Sequence, residues 1–309
     1  MKLSVAIATY NGAEYVEEQL ESIRTQSRPV DEVVICDDKS SDNTVEIVES
    51  FINKNNLGDS WRIEVNPENL GYASNFIGAA RKTTGDLIFF CDQDDIWLPD
   101  RVKEMEAVMA VNQNILLLGS EFEPFVSGEN AQAVPEWELK QIKNDKSLVK
   151  KEWSPENIFI GCQGCTMCIR RSFFEEIDAY WYKGWAHDEY VWKLALCRDG
   201  LYMYHAYTLR RRLHSANVSL SKMRDLPKRI KFLEELLLSH KATLKFASDI
   251  KLDDKKLRLL KRNIKATELR IALLKDKKYF NTVKLLLCYF DCYHKSRSIP
   301  VELYMAIKG

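Results

Sequence analysis

The sequence predicts an α/β protein built on a mostly parallel sheet with flanking helices, followed by an all-α extension. Three observations predict it. Short apolar runs rich in β-branched and aromatic residues alternate with helix-period segments over the first hundred residues. Acidic residues recur where those runs stop, at Asp37-Asp38 and again at Asp92, Asp94 and Asp95. Beyond Lys222 the strand signals give way to long segments rich in Leu and Lys.

Residues 2–9 read as a strand and Tyr10-Asn11-Gly12 as a turn. Tyr15, Val16, Leu20 and Ile23 then recur at helical spacing, with acids early and Arg24 late, as the helix dipole prefers. A second strand over 32–36 runs into Asp37 and Asp38, and Asp42-Asn43-Thr44 caps a helix carrying Val45, Ile47, Val48, Phe51 and Ile52. Residues 61–65 form a third strand, and the turn Asn69-Leu70-Gly71 opens a helix over 72–82. The fourth, 87–91, is apolar throughout, as a strand buried on both faces must be.

Further on, the pattern gives a helix over 101–111, a strand over 115–123 and a polar excursion over 124–151 expected to be a mobile loop. It then gives a strand over 158–169 with a glycine-rich break, a short helix over 173–177, a helix over 191–197 opened by residues 185–190, and a strand over 201–209 continued by basic residues to His214. Tail helices fall at about 229–248, 253–276 and 279–295 by apolar periodicity. A boundary near 220 separates a catalytic domain, 1–220, from a basic helical extension, 221–309.

Composition narrows the class. Of 309 residues 46% are hydrophobic and 29% charged, which excludes a disordered chain. No apolar run approaches the roughly 20 residues that cross a bilayer, and the first residues lack the pattern of a signal peptide, so a cytoplasmic protein with reduced cysteines is expected. The run Cys162-Gln-Gly-Cys165-Thr-Met-Cys168 has metal-like spacing, yet in an extended segment Cys165 faces away from the other two. Net charge is zero but uneven. Residues 222–309 hold 22 Lys and Arg against 10 Asp and Glu, a net of +12, which leaves −12 on the first 221. A basic tail on an acidic body points to an anionic membrane surface or internal charge pairing, not to nucleic acid.

The acids at the fourth strand's end carry the chemistry. In parallel sheets, loops beyond the carboxyl ends of strands converge on ligands. Clustered carboxylates repel unless a cation, Mn2+ or Mg2+, neutralises them and clamps phosphate oxygens in turn. A solvated acidic turn is the alternative.

The stretches Ser4–Gly12, Asp37–Thr44, Asn69-Leu70-Gly71 and Asp92–Asp100 resemble, in order, the motifs of family 2 glycosyltransferases. Gly164-Cys165-Thr166-Met167, His187-Asp188 and Arg212–Ser219 resemble those of its rhamnosyltransferase-like branch. The resemblance covers roughly residues 3–219 and implies a GT-A fold, a nucleotide-sugar donor, a divalent metal and inversion at the anomeric carbon. By that resemblance Thr9, Tyr10, Asn11, Asp38, Asn69, Gly71, Asn75 and Asp92 lie against the nucleotide, Asp94 and His214 hold the metal, and Arg212 grips the diphosphate. Spacing does not say which of Arg210, Arg211 and Arg212 faces that diphosphate. Asp188 is the base expected to take the acceptor proton, with Glu189 beside it as the alternative. Trp181, Tyr182 and Trp185 are either an acceptor platform or core.

The expected reaction moves a sugar from dTDP-rhamnose or a UDP-hexose to a hydroxyl of a glycan or lipid-linked glycan in cell-surface polysaccharide synthesis. A phosphatase of the haloacid dehalogenase type also carries Asp-x-Asp, but on its first strand, and a non-catalytic glycan-binding scaffold is the other alternative. The tail helices read as a packing or homodimerisation module, with peripheral contact at the inner face of a membrane alongside.

Overall fold

The computed structural model describes residues 1–128, 134, 136–214, 225–293 and 298–308. The elements run β1 (Leu3–Thr9), α1 (Val16–Arg24), β2 (Glu32–Asp37), α2 (Thr44–Lys54), β3 (Trp61–Val65), α3 (Tyr72–Lys82), β4 (Leu87–Cys91), β5 (Ile96–Trp97) and α4 (Arg101–Val111). They continue with β6 (Leu117–Val126), α5 (Glu136–Leu139), β7 (Leu148–Lys150), β8 (Cys168–Arg170), α6 (Arg171–Ile177), α7 (His187–Cys197) and β9 (Leu201–Leu213). The helices α8 (Leu226–Asp249), α9 (Asp254–Lys275), α10 (Asn281–Cys288) and α11 (Ser298–Lys308) follow.

One sheet has the order β3-β2-β1-β4-β8-β6-β9-β5, with β7 on the outer part of β9. Strands β3, β2, β1 and β4 are parallel neighbours, β6 and β9 share their direction, and β8, β5 and β7 run against them. Thr9 pairs with Asp37 and Ile7 with Cys91, so the ends of β1, β2 and β4 reach one rim. That rim carries the acidic motifs.

The strands earn their place by burial on both faces. Leu3, Val5 and Ile7 of β1 meet Val16, Leu20 and Ile23 of α1 and Val48 and Phe51 of α2 in one core, while α3 lies against β1 and β2 on the other side. Each such side chain removed from water stabilises the fold by roughly 1.5–3 kcal/mol. The N-cap of α2 is Asn43, whose side chain makes no cap, and Asp42 just before it accepts the Thr44 N–H at 3.1 Å.

The sequence reading departs from the fold at several places. Residues 158–169 are not a strand: Gly164–Thr166 form a 3-10 turn and only Cys168–Arg170 pair in the sheet. The polar excursion holds structure of its own, in the outer end of β6, in α5 and in β7. The tail helix expected over 279–295 stops at Cys288, and α11 was not foreseen. The boundary near 220 and the motif residues 215–219 lie outside the described residues.

The chain divides into two compact units, 1–151 with 160–195 and 200–217, and 152–159 with 196–199 and 218–309. The second has its own core, Leu233 and Leu236 of α8 against Ala266, Leu273 and Leu274 of α9, with Leu285, Ile299 and Met305. Within it Glu302 of α11 is fully buried between Arg229 of α8 and Arg270 of α9, each 2.7 Å away. Among the described residues no helix is long and apolar enough to cross a membrane.

Candidate active site

The first loop is built on β1. Beyond Thr9 the chain turns through Asn11, at φ 48, and two bonds bracket it: Tyr10 N–H donates to Gln93 Oε1 (2.8 Å), and Gln93 Nε2 donates back to the Tyr10 carbonyl (3.0 Å). The loop after β1 and the acidic loop after β4 are thus joined directly. Asn11 Oδ1 accepts from Ser41 N–H (2.8 Å), tying the same turn to the loop after β2.

The two acids of β2 do different work. Asp37 is fully buried and accepts from the Thr9 hydroxyl (2.7 Å) and Ser40 N–H (2.7 Å). Thr9 therefore turns its hydroxyl inward. Asp38 takes the Leu70 and Gly71 amides, each at 2.8 Å, and Asn66 Nδ2 at 3.0 Å. Gly71 sits at φ 83, a backbone region that glycine enters without strain. Asn75, buried in α3, donates to the carbonyls of Thr9 and Cys36, while Asn69 Oδ1 accepts from Gly71 N–H. Asp38, Asn69, Gly71 and Asn75 thus build one loop rim, with Tyr10 exposed beside it.

On β4, Asp92, Asp94 and Asp95 leave the sheet together. Asp94 Oδ2 lies 2.7 Å from His214 Nε2, a pairing across 120 residues of chain. Asp95 is buried, accepts the Arg212 N–H at 3.0 Å and keeps its second oxygen without a partner. Burial, then the charges of its acidic neighbours, pushes the Asp92 carboxyl well above the usual range; the same causes lift Asp95 to about 6. Arg211 opposes both shifts, so its charge bears on the acids.

Arg212 serves the frame. Its Nε donates to the Asp94 carbonyl at 2.8 Å, its Nη2 pairs with Glu18, and its guanidinium lies over Tyr15 and Phe125, each at 4.7 Å. Arg210 is half exposed and pairs with Glu123. Spacing had no means of ordering the three. Between Ser120↔Tyr204 and Phe122↔Leu209 strand β6 advances two residues while β9 advances five, and this odd bulge reverses the facing of everything after it.

Asp188 begins α7. Its Oδ1 accepts the Glu189 N–H at 2.7 Å, and burial, with Glu189's charge beside it, lifts its carboxyl to about 6. Its charge also acts on Asp92. Glu189 is committed elsewhere, to Lys193 Nζ (2.6 Å) and Trp185 Nε1 (3.1 Å). Trp185 is buried core, whereas Trp181 and Tyr182 stay partly open. His187 stacks on Phe76 with centroids 3.9 Å apart, has no hydrogen-bond partner at either nitrogen, and burial lowers its pKa to about 3.

Sequence reasoning gave no role of their own to Gln93 and His187, which it quoted only within motifs, and missed Arg101. Arg101 is buried, stacks over Trp97 at 4.5 Å and donates to the Cys165 carbonyl at 2.7 Å, holding the 164–166 turn behind the acids. Its side chain is read as helix surface when only periodicity is considered. The three cysteines of 162–168 do not form a metal group; among the described residues the one cluster of potential ligands is Asp92, Asp95 and Cys165, within 4.8 Å of one another.

Gly164 packs against the start of α7. A Cβ there would stand 2.4 Å from His187 Nε2 and 3.2 Å from Asp188 Cβ. Gly164→Ala is expected to cut turnover about 10²-fold, the cost of displacing a catalytic group by about 1 Å, with donor affinity retained; steady-state kinetics beside donor titration checks it.

The donor set suits a hard divalent cation. Asp94 and His214 meet at the rim, an unpartnered carboxylate oxygen of Asp95 lies next to them in sequence, and burial keeps the Cys165 thiol protonated, so it offers no thiolate.

The sequence profile described as Glycosyl transferase family 2 matches residues 4–177. Poly(ribitol-phosphate) beta-N-acetylglucosaminyltransferase TarS of Staphylococcus aureus is 32% identical over 151 residues, 48% of this chain and 25% of that protein. The dTDP-rhamnosyl transferase RfbG of Shigella flexneri is 38% identical over 107 residues, 31% and 34% of the two chains. An uncharacterized glycosyltransferase of Rickettsia prowazekii is 25% identical over 292 residues, 89% and 85%. The chain thus spans about a quarter of the length of the first curated relatives it matches. Among solved structures, S. aureus TarS 1-349 in complex with UDP-GlcNAc superposes with a TM-score of 0.63 at 18% identity over 99% of this chain and 90% of that one. The mannosyltransferase PcManGT of Pyrobaculum calidifontis, with GDP-Man and Mn2+, gives 0.54 at 17% over 99% and 86%. The fold is GT-A, and the profile covers more than half of the chain. The chain belongs to glycosyl transferase family 2.

Proposed function

We propose that this protein is an inverting glycosyltransferase that moves a sugar from a nucleoside-diphosphate donor, dTDP-rhamnose or a UDP-hexose, to a hydroxyl of a glycan or lipid-linked glycan. The observation that carries the reading is the meeting of Asp94 with His214, 120 residues further on, next to Asp92, whose carboxyl also feels the charge of Asp188. One relative is named a dTDP-rhamnosyl transferase, and TarS was solved with UDP-GlcNAc, which supports a nucleotide-sugar donor.

Each residue then has work. Asp38 holds the Asn69–Gly71 rim around the base of the nucleotide and offers a remaining lone pair to the imide N–H that uracil and thymine share. Asp94 and His214 hold Mn2+ or Mg2+, which when bound stabilises the negative charge of the departing diphosphate. Arg211 adds positive charge on the same side. Asp188 takes the proton of the acceptor hydroxyl as it attacks the anomeric carbon, so no covalent sugar–enzyme intermediate forms. His187, kept neutral by burial, packs against Phe76 and fixes the start of α7.

Asp94→Ala is expected to abolish metal-dependent binding of the nucleotide diphosphate. Calorimetric titration of UDP and dTDP with and without Mn2+ checks it, and unchanged affinity contradicts the assignment. A panel of nucleotide sugars screened by thermal shift, dTDP-rhamnose and UDP-hexoses first, identifies the donor.

A further inference from the structure

Helix α10 is apolar on two opposite faces. Thr282 and Leu285 point inward with Cys292 after them, into the core of the second unit. Val283 and Leu287 lie four residues apart on the other side, with Phe280 at the residue before the helix and Phe290 in the short turn after it. They are open to solvent: Phe280 is 88% exposed and Leu287 79%. A soluble helix that buries one stripe has no folding reason to carry a second.

The exposed stripe continues onto α11. Tyr279 Oη and Lys277 Nζ both donate to the Ala306 carbonyl, tying the segment just before α10 to the end of α11, where Ile307 is 65% exposed. Cations edge this surface. Lys278, Lys284 and Lys308 are exposed around it, in a segment whose net charge is +12. Aromatic and aliphatic side chains at the centre with lysines at the margin match the boundary of a bilayer, where rings enter the headgroup region and ammonium groups meet lipid phosphates.

We propose that the outer face of α10 and the end of α11 dock on an anionic membrane surface, with Phe280, Leu287 and Ile307 inserted and the lysines on the headgroups. The inference rests on this face alone and stands whether or not the transferase reading holds. A second copy of the chain is the competing occupant, but its matching face would carry the same lysines and bring like charges together.

The test is flotation of the full-length protein with vesicles of phosphatidylcholine alone and with added phosphatidylglycerol, at low and high salt. Binding only to the anionic vesicles, weakened by salt, is expected. Phe280→Glu/Leu287→Glu is expected to reduce partitioning at least tenfold, since burying either side chain accounts for about that factor, while Lys278→Glu/Lys284→Glu removes the dependence on phosphatidylglycerol. Both changes lie on the surface, and an unchanged thermal melt shows that the variants fold. No flotation with anionic vesicles, or equal flotation with both kinds, overturns the proposal. So does a dimer in sedimentation equilibrium that Phe280→Glu/Leu287→Glu dissolves while the wild-type protein ignores vesicles.

Discussion

Asp188→Asn is expected to lower turnover by about 10²–10⁴-fold, the usual contribution of a positioned general base, with little change in affinity for the nucleotide diphosphate. Asparagine keeps the size of the side chain and the oxygen that accepts the Glu189 N–H, so the start of α7 persists. What it lacks is the ability to accept a proton. The same assignment sets a pH profile. Burial lifts the Asp188 carboxyl to about 6, and only the ionised form acts as a base, so turnover rises with pH through a midpoint near 6 and then levels. Kinetics with saturating donor across pH 5–8 reads this, with donor titration as the control. A variant that loses donor binding in step with turnover would make Asp188 a structural residue. Glu189→Gln provides the contrast, because Glu189 is already bound by Lys193 and Trp185 and its loss shows in stability first.

Glu302→Ala is expected to destabilise the second unit by about 3–5 kcal/mol, the cost of stranding buried charges by removing their partner. Glu302 is 0% exposed; Arg229 and Arg270 each place a nitrogen 2.7 Å from Oε1, and the Tyr293 hydroxyl donates to Oε2 at 3.2 Å. One carboxylate thus fastens three helices and the segment before α11. Against a typical total stability of about 5–15 kcal/mol, this loss is a large fraction of the whole. Hydrogen exchange of the α8, α9 and α11 amides measures it, and a change below 1 kcal/mol rejects the role. Burial raises the carboxyl's pKa, but the two arginines outweigh it and the net shift is downward. Its contribution to stability is therefore present above the unfolded value of about 4.3 and is lost as pH falls through the lower folded value.

The central sheet was readable because its strands are short, apolar and separated by well-marked turns. β1 to β4 and the helices between them follow from local pattern, and the acids at Asp37-Asp38 and Asp92–Asp95 follow from where those strands end. What was not readable depends on distant pairing. β5 is two residues, Ile96 and Trp97, with no period to detect, and it exists because β9 comes back to pair with it. Residues 158–169 have a strand-like composition, yet Gly164 is needed as a turn beside His187 and Asp188, where no Cβ fits. The arginines after Leu209 were left unordered for a related reason: a bulge near Tyr204 decides which way each one faces. That Asp37 takes the Thr9 hydroxyl and that Asp38 organises the Leu70 and Gly71 amides also depends on partners about thirty residues away, which no local pattern shows.

The strand β9 has a practical bearing on how such chains are dissected. The family profile ends at residue 177, but the Asp95 carboxylate, the Asp94 carbonyl and the Asp94 side chain are held by the Arg212 amide, the Arg212 guanidinium and His214. A fragment trimmed to the profile's limit would retain β1 to β8, lose β9 and leave the acids untethered. Recombinant pieces meant to keep the chemistry have to extend at least through His214.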